Sequence, residues 1–78
     1  MKKVVLNKKE IGSVIKEYRL KNNISINEFA SEISIKNPKQ ILKWENGLVI
    51  PSLDNIIKIC NLFSIKVDEL ISFSMILW

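Results

Sequence analysis

The side chains that could carry catalytic or metal chemistry are few. The 78-residue sequence has no histidine and a single cysteine, Cys60, so it cannot form an intrachain disulfide or a multi-cysteine metal site. With only two glycines it also lacks a glycine-rich phosphate loop. General acid–base catalysis and metal chemistry depend on such groups. We therefore expect a protein that is not an enzyme and that holds no metal or cofactor.

The remaining candidates for chemistry have structural explanations. Asp54, Asp68 and Glu69 each fall in the first turn of a predicted helix, where the helix dipole favours negative charge. Cys60 falls on the apolar face of a predicted helix, where a small buried side chain fits, so no redox role is expected.

The charge balance favours an acidic partner. Twelve Lys and Arg against eight Asp and Glu give a formal net charge of +4 and an isoelectric point near 9.4. Clustered positive charges attract polyanions and release their counterions on binding. Net charge alone does not distinguish a surface that binds a polyanion from ordinary solvated lysines, so the positions of the lysines must decide between these two interpretations.

Neither end of the sequence predicts a membrane or export segment. The apolar run of residues 4–6 is too short for a signal-peptide core, and the apolar residues 71–78 are far fewer than the roughly twenty that span a bilayer. Together with the lone cysteine, this pattern predicts a cytoplasmic protein that does not enter membranes.

Caps and apolar spacing predict an all-α fold, a compact bundle of about five short helices. Capping boxes over residues 7–10 and 25–28 begin the first two helices. Asn37 followed by Pro38 begins a third helix, expected over residues 38–46, and Gly47 suits the left-handed position that closes it. A fourth helix follows Ser52, and a last helical turn surrounds residues 67–70.

Apolar side chains recur on one side of each predicted helix, which defines an expected core. Ala30 is small enough to let another helix axis cross closely. The residues expected to be buried are Ile11, Val14, Ile15, Tyr18, Phe29, Ala30, Ile33, Ile41, Trp44, Leu53, Ile56, Ile57, Ile59, Cys60 and Phe63.

Two short capped helices joined by a few residues, with Ala30 at the crossing, describe a helix-turn-helix. From about Ile11 to Leu70 the chain resembles the lambda/434 repressor-like helix-turn-helix domain, also called the Cro/repressor or xenobiotic-response-element type. The resemblance rests on Ile11-Gly12, Tyr18-Arg19, Ile24-Ser25, Glu28-Phe29-Ala30, Ile33, Ile41, Lys43-Trp44-Glu45-Asn46-Gly47, Pro51-Ser52-Leu53 and residues 65–70.

The resemblance implies that residues 38–46 lie in the DNA major groove while the preceding helix crosses the phosphate backbone. Lysine can hydrogen-bond guanine acceptors or phosphate, and Asn or Gln can pair with adenine edges. The residues implied at the groove are Lys36, Asn37, Lys39, Gln40 and Lys43, because Ile41 and Trp44 must face the core. For Asn37 and Gln40, a purely capping role remains an alternative.

The resemblance also implies supporting residues around this helix. Asn27 and Asn46 are implied phosphate contacts, with solvated caps as the alternative. Arg19 and Glu45 are implied to form a structural bridge that orients the motif. Leu42 stands where the family usually has a small polar residue, and it could contact a thymine methyl group or belong to a protein interface.

The apolar C-terminal segment bears on assembly. Residues 71–75 alternate with period two, so they could form a short terminal β pairing with residues 4–6. An exposed tail over residues 71–78 would be an unusual apolar patch. We expect a homodimer whose interface includes this tail, with folding back over its own core as the alternative. A dimer would place two groove-contacting helices on a palindromic operator.

The sequence thus predicts one domain over residues 1–78, with a core of about 8–70. The resemblance implies a sequence-specific DNA-binding transcriptional regulator, similar to a phage or mobile-element repressor or a restriction–modification controller. The alternative is a protein-interaction module, such as an antitoxin or adaptor, in which Leu42 and the apolar tail bind a partner.

Overall fold

The structure, a computed structural model, describes residues 7–71, which form five α-helices without a strand. The helices are α1 (Lys8–Lys21), α2 (Ile26–Glu32), α3 (Lys39–Glu45), α4 (Leu53–Phe63) and α5 (Val67–Ile71). The predicted all-α class is therefore confirmed. The suggested β pairing of residues 4–6 with 71–75 lies outside the described residues, apart from Ile71, which ends α5.

The predicted helix starts are confirmed by their side-chain caps. Oδ1 of Asn7 accepts hydrogen bonds from the backbone N–H groups of Lys9 and Glu10, at 3.0 and 3.2 Å. Ser25 and Glu28 form the full capping box at the start of α2. Oγ of Ser52 accepts from the backbone N–H of Asn55 at 3.3 Å. Each cap satisfies backbone donors that the first helical turn leaves without a partner.

One hydrophobic core joins the helices. The buried apolar residues are Ile11, Val14, Ile15, Phe29, Ala30, Ile33, Ile41, Trp44, Ile56, Ile59, Cys60 and Leu70. The ring of Phe63 extends this core by packing against Tyr18 and Phe29, with ring centroids 5.7 and 5.4 Å apart. The indole N–H of Trp44 is buried with no acceptor among residues 7–71, so this side chain stabilises the core by packing alone.

The buried face of α4 is narrower than the sequence predicts. Leu53 and Ile57 were expected in the core, but their exposed fractions are 68% and 45%. They lie one helical turn apart, at the edge of the buried face that Ile56, Ile59 and Cys60 form. The neighbouring helices cover only that narrower face, and α4 therefore presents two apolar side chains to solvent.

Helix α1 holds the bundle together, since it packs against both α3 and α5. Helix α5 also packs against α4, and α2 packs against α3.

None of the described helices is both long and apolar enough to cross a membrane.

Candidate nucleic-acid interface

A tight connection sets the position of α3 relative to α2. Ile33 is buried at the end of α2, and the chain then reverses at Ser34, which adopts a φ of 58°. The backbone N–H of Ile35 donates to the carbonyl oxygen of Ala30 at 2.8 Å. Ala30 is itself buried, so the connection is fastened to the core side of α2. After this connection, the seven-residue helix α3 lies at the surface of the bundle with one face exposed.

Helix α3 is one residue shorter at each end than the predicted range 38–46. Pro38 was predicted at the first helical position, but it precedes the helix as its N-cap residue, with nearly helical angles (φ −58°, ψ −21°). Oδ1 of Asn37 accepts from the backbone N–H of Lys39 at 3.1 Å, which gives Asn37 a capping role. Asn46 follows as the C-cap residue, and Gly47 has a φ of 72°, as predicted.

Four side chains form the solvent face of α3, which we call the outward stripe: Lys39, Leu42, Lys43 and Asn46. At about 100° per residue, these positions fall within an arc of roughly 100° around the helix. Ile41 and Trp44 lie on the opposite side and are fully buried. Burial of these two side chains therefore points both lysines away from the protein.

Two other residues implied at the groove lie beside the outward stripe. Gln40 is half-buried on the flank of α3, so the expectation that it faces outward is only partly met. Its side chain forms no hydrogen bond with any of residues 7–71, and its backbone N–H donates to the carbonyl oxygen of Asn37 at 3.0 Å. Lys36 is exposed immediately before Asn37, where it can extend the positive charge of the stripe.

The implied bridge between Arg19 and Glu45 is present and fastens α1 to α3. Nε and Nη2 of Arg19 donate to the two carboxylate oxygens of Glu45 at 2.7 and 3.0 Å. Nη1 donates to the carbonyl oxygen of Ile24, just before α2, at 3.0 Å. One guanidinium therefore connects the end of α1, the start of α2 and the end of α3, and so fixes the relative orientation of the helix-turn-helix pair.

This bridge also shapes the charge of α3. Its side chains are only 11% and 3% exposed, for Arg19 and Glu45 respectively. Hydrogen bonding and Coulombic attraction from Glu45 raise the pKa of the Arg19 guanidinium, and burial opposes them. Glu45 is the single acid in α3, and its charge is compensated inside the protein. The outward stripe therefore carries two positive charges with no acid of its own helix beside them.

Asn27, the implied phosphate contact on α2, is exposed in the first turn of that helix. Two backbone donors at this helix end are occupied, since Glu28 N–H donates to Ser25 Oγ and Ser25 N–H donates to a carboxylate oxygen of Glu28. The exposed Asn27 side chain can contact a phosphate at this helix end. Asn46, by contrast, lies in the outward stripe.

Gly12 is a positioning residue whose role the sequence interpretation did not identify. A Cβ atom at this position would overlap the carbonyl oxygen of Trp44 and lie 3.0 Å from that of Glu45. The missing side chain thus lets α1 approach the backbone at the end of α3. A glycine inside a helix destabilises it, so the presence of Gly12 within α1 was the available signal.

The fold and the site together define a helix-turn-helix protein, with α2 and α3 as the paired helices. The chain belongs to the Cro/C1-type helix-turn-helix family, whose family model matches residues 15–70. The predicted family is therefore confirmed. Helix-turn-helix domains bind DNA through the second helix of the motif, so membership supports a DNA-binding transcription regulator.

Solved structures share this fold at low sequence identity. The SOS-response transcriptional repressor LexA from Eubacterium rectale is 23% identical, with a TM-score of 0.78 over 83% of this chain and 68% of that chain. The restriction-modification controller protein C.AhdI from Aeromonas hydrophila is 24% identical, with a TM-score of 0.73 over 81% of this chain and 94% of that chain.

The clp gene regulator ClgR from Corynebacterium glutamicum is 17% identical, with a TM-score of 0.75 over 83% of this chain and 68% of that chain. At these identities, the three structures establish the fold of the chain. No curated protein matches the chain in sequence.

Proposed function

We propose that this protein is a transcription regulator that binds DNA with the outward stripe of α3 in the major groove. The observation that carries the proposal is the placement of Lys39 and Lys43 on the solvent face of α3, opposite the buried Ile41 and Trp44. Family membership supports the same role. A repressor and a restriction-modification controller among the structural neighbours agree with it.

The residues divide into two kinds of contact. Lys39 and Lys43 reach base edges or the phosphates that border the groove, because lysine donates to guanine acceptors and to phosphate oxygens alike. Lys36, Asn27 and Asn46 contact phosphates and fix the position of the protein on the duplex.

The two remaining residues implied by the resemblance have smaller roles. Asn37 primarily caps α3, since its side-chain oxygen is bonded to Lys39 N–H. Gln40 lies at the edge of the contact surface, where it can reach an adenine edge only by turning outward from its half-buried position.

The proposed mechanism is occupation of an operator, without catalysis. The bound protein blocks or recruits polymerase, so its effect depends on affinity, sequence preference and salt. The cytoplasmic location predicted from the sequence is part of this proposal.

The proposal is tested with a duplex selected by the protein from a random DNA pool. Fluorescence anisotropy then measures the dissociation constant from 50 to 300 mM salt for wild type, Lys39→Ala and Lys43→Ala. Lys66→Ala, in the turn between α4 and α5, is the matched control because it removes the same charge outside the helix-turn-helix.

We expect steep salt dependence for wild type and weaker binding for both stripe variants. A lysine that contacts a base should contribute about 1–3 kcal/mol, and one that contacts phosphate should reduce the salt slope by about one when removed. Wild-type affinity in both stripe variants would refute the assignment of α3. If no duplex is selected, a protein-interaction module becomes the better account.

We further propose that the protein acts as a homodimer on a palindromic operator. The described surface exposes Leu48, Val49, Leu53 and Ile57. The predicted interface tail, residues 72–78, lies outside the described residues, and five of its seven side chains are apolar. Covering such apolar surface favours association. Two copies of α3 would then contact half-sites one DNA turn apart, about 34–36 Å.

Analytical ultracentrifugation of the full chain and of a chain ending at Ser72 tests this association. The expected result is a dimeric mass for the full chain and a lower mass for the shortened one. Identical monomeric masses would refute the homodimer.

A further inference from the structure

Leu42 is an apolar residue within an otherwise polar surface. Its exposed fraction is 44%, and it forms the outward stripe with Lys39, Lys43 and Asn46. It lies one helical turn from Lys39 and one from Asn46, so it shares their side of α3. Leu42 is not part of the core, because Ile41 and Trp44 form the buried side of α3 and Leu42 lies on the other side.

The chemistry of the major groove limits what such a side chain can contact. Base edges there present hydrogen-bond donors and acceptors, and the C5 methyl group of thymine is the apolar exception. Pressing a leucine against a polar base edge would desolvate a donor or acceptor without replacing its hydrogen bond, which is unfavourable. A leucine in the groove therefore favours a position where a pyrimidine carries a methyl group.

We propose that Leu42 is a specificity-determining residue that recognises a C5 methyl group of a pyrimidine in the DNA site. This inference rests on the proposed function, since it requires α3 to lie in the major groove. Thymine and 5-methylcytosine present the same methyl group at the same ring position, so both satisfy the chemistry. Leu42 thereby favours a methylated pyrimidine, while the lysines beside it contribute charge and hydrogen bonds.

The test uses the duplex selected from the random pool as the probe. Each thymine is replaced in turn by deoxyuridine, which removes the methyl group and leaves the hydrogen-bonding edge intact. In a second arm, each cytosine is replaced in turn by 5-methylcytosine. Dissociation constants are measured for wild type, Leu42→Ala and the control Leu20→Ala, which truncates an exposed leucine on α1.

The expected result is a loss of about three- to fivefold when a single thymine that Leu42 contacts loses its methyl group, as for burial of one methyl-sized group. Leu42→Ala should weaken binding to the thymine duplex about three- to tenfold, and its own response to deoxyuridine should fall below twofold. Leu20→Ala should keep the full response. Because Leu42 is exposed and alanine favours helix, we expect the variant to remain folded, which its thermal melt will verify.

The remaining outcomes are distinct. If only 5-methylcytosine changes the affinity, and Leu42→Ala removes that change, the methyl group recognised is that of 5-methylcytosine. If no methyl group matters while Lys39→Ala and Lys43→Ala still weaken binding, the inference is wrong and the proposed function stands. If Leu42→Ala alters the sedimenting mass with unchanged methyl response, Leu42 belongs to a protein interface and the inference is overturned. If no duplex is bound, both proposals fail.

Discussion

The bridge between Arg19 and Glu45 allows a quantitative prediction about stability. Arg19→Met keeps most of the side-chain length but removes two hydrogen bonds to Glu45, at 2.7 and 3.0 Å, and one to the carbonyl oxygen of Ile24. The Glu45 side chain is only 3% exposed, so the variant leaves a buried carboxylate without its cation. Breaking a buried pair in this way costs about 3–5 kcal/mol. At roughly 0.05–0.15 kcal/mol per residue, folding of the 78-residue chain is favourable by about 4–12 kcal/mol in total, so this loss is a large part of its stability.

The double variant Arg19→Met with Glu45→Met measures how strongly the two side chains stabilise each other, apart from the cost of each single substitution. It removes both charges and fills a similar volume with apolar atoms, so it should be far more stable than the sum of the two single losses predicts. Urea unfolding followed by far-UV circular dichroism gives the free energy of unfolding for each variant. The expected coupling between the two positions is several kcal/mol.

Lys58→Met is the matched control for this series. The Lys58 amine lies 3.5 Å from the Asp54 carboxylate, and the two side chains are 41% and 81% exposed. An exposed pair one helical turn apart contributes only about 0.3–0.5 kcal/mol. If Arg19→Met destabilised the protein no more than Lys58→Met, the bridge would not orient the helix-turn-helix in the way inferred.

Three further predictions concern the fold. Gly12→Ala should destabilise the protein by about 1–3 kcal/mol in urea unfolding, because the added methyl group overlaps the Trp44 carbonyl oxygen; unchanged stability would mean that α1 and α3 separate freely. Ser25→Ala should cost about 1 kcal/mol in the same assay through loss of the α2 cap, and a loss below 0.2 kcal/mol, on the order of the measurement error, would contradict that role. Burial raises the pKa of the Cys60 thiol above its usual value, so the neutral thiol stabilises the folded state at neutral pH, and this contribution is lost as pH rises through the raised pKa. Melting temperatures of wild type and Cys60→Ala should therefore converge or cross between about pH 7 and 10. A constant difference between the two would contradict this role of Cys60.

The sequence predicted what local physical chemistry determines. Caps such as Ser25 act within three residues, so the starts of helices could be located from neighbouring side chains alone. Gly47 likewise marks the end of α3 because a left-handed residue there favours glycine. The bridge from Arg19 to Glu45 spans 26 positions and came from the family resemblance, since no local pattern predicts it.

What the sequence did not predict depends on how helices meet. Leu53 and Ile57 follow the apolar spacing of α4, but the bundle covers only the narrower face beside them. In the sequence, Gly12 is simply a glycine within a helix, and only the structure places the Trp44 carbonyl oxygen beside it. Gln40 is polar and near two lysines, yet its position on the flank of α3 leaves it half-buried. Each outcome depends on the relative placement of α1, α3 and α4, which helical periodicity does not specify.

The most direct test of the DNA-contacting surface is an NMR titration of the isotope-labelled protein with the selected duplex. We predict that the largest shift changes of backbone amides and lysine amines will fall on residues 36–46, with Lys39 and Lys43 among them, and that α4 will change little. Changes centred on Leu53 and Ile57, with α3 unaffected, would contradict the assignment of α3 as the helix that enters the groove.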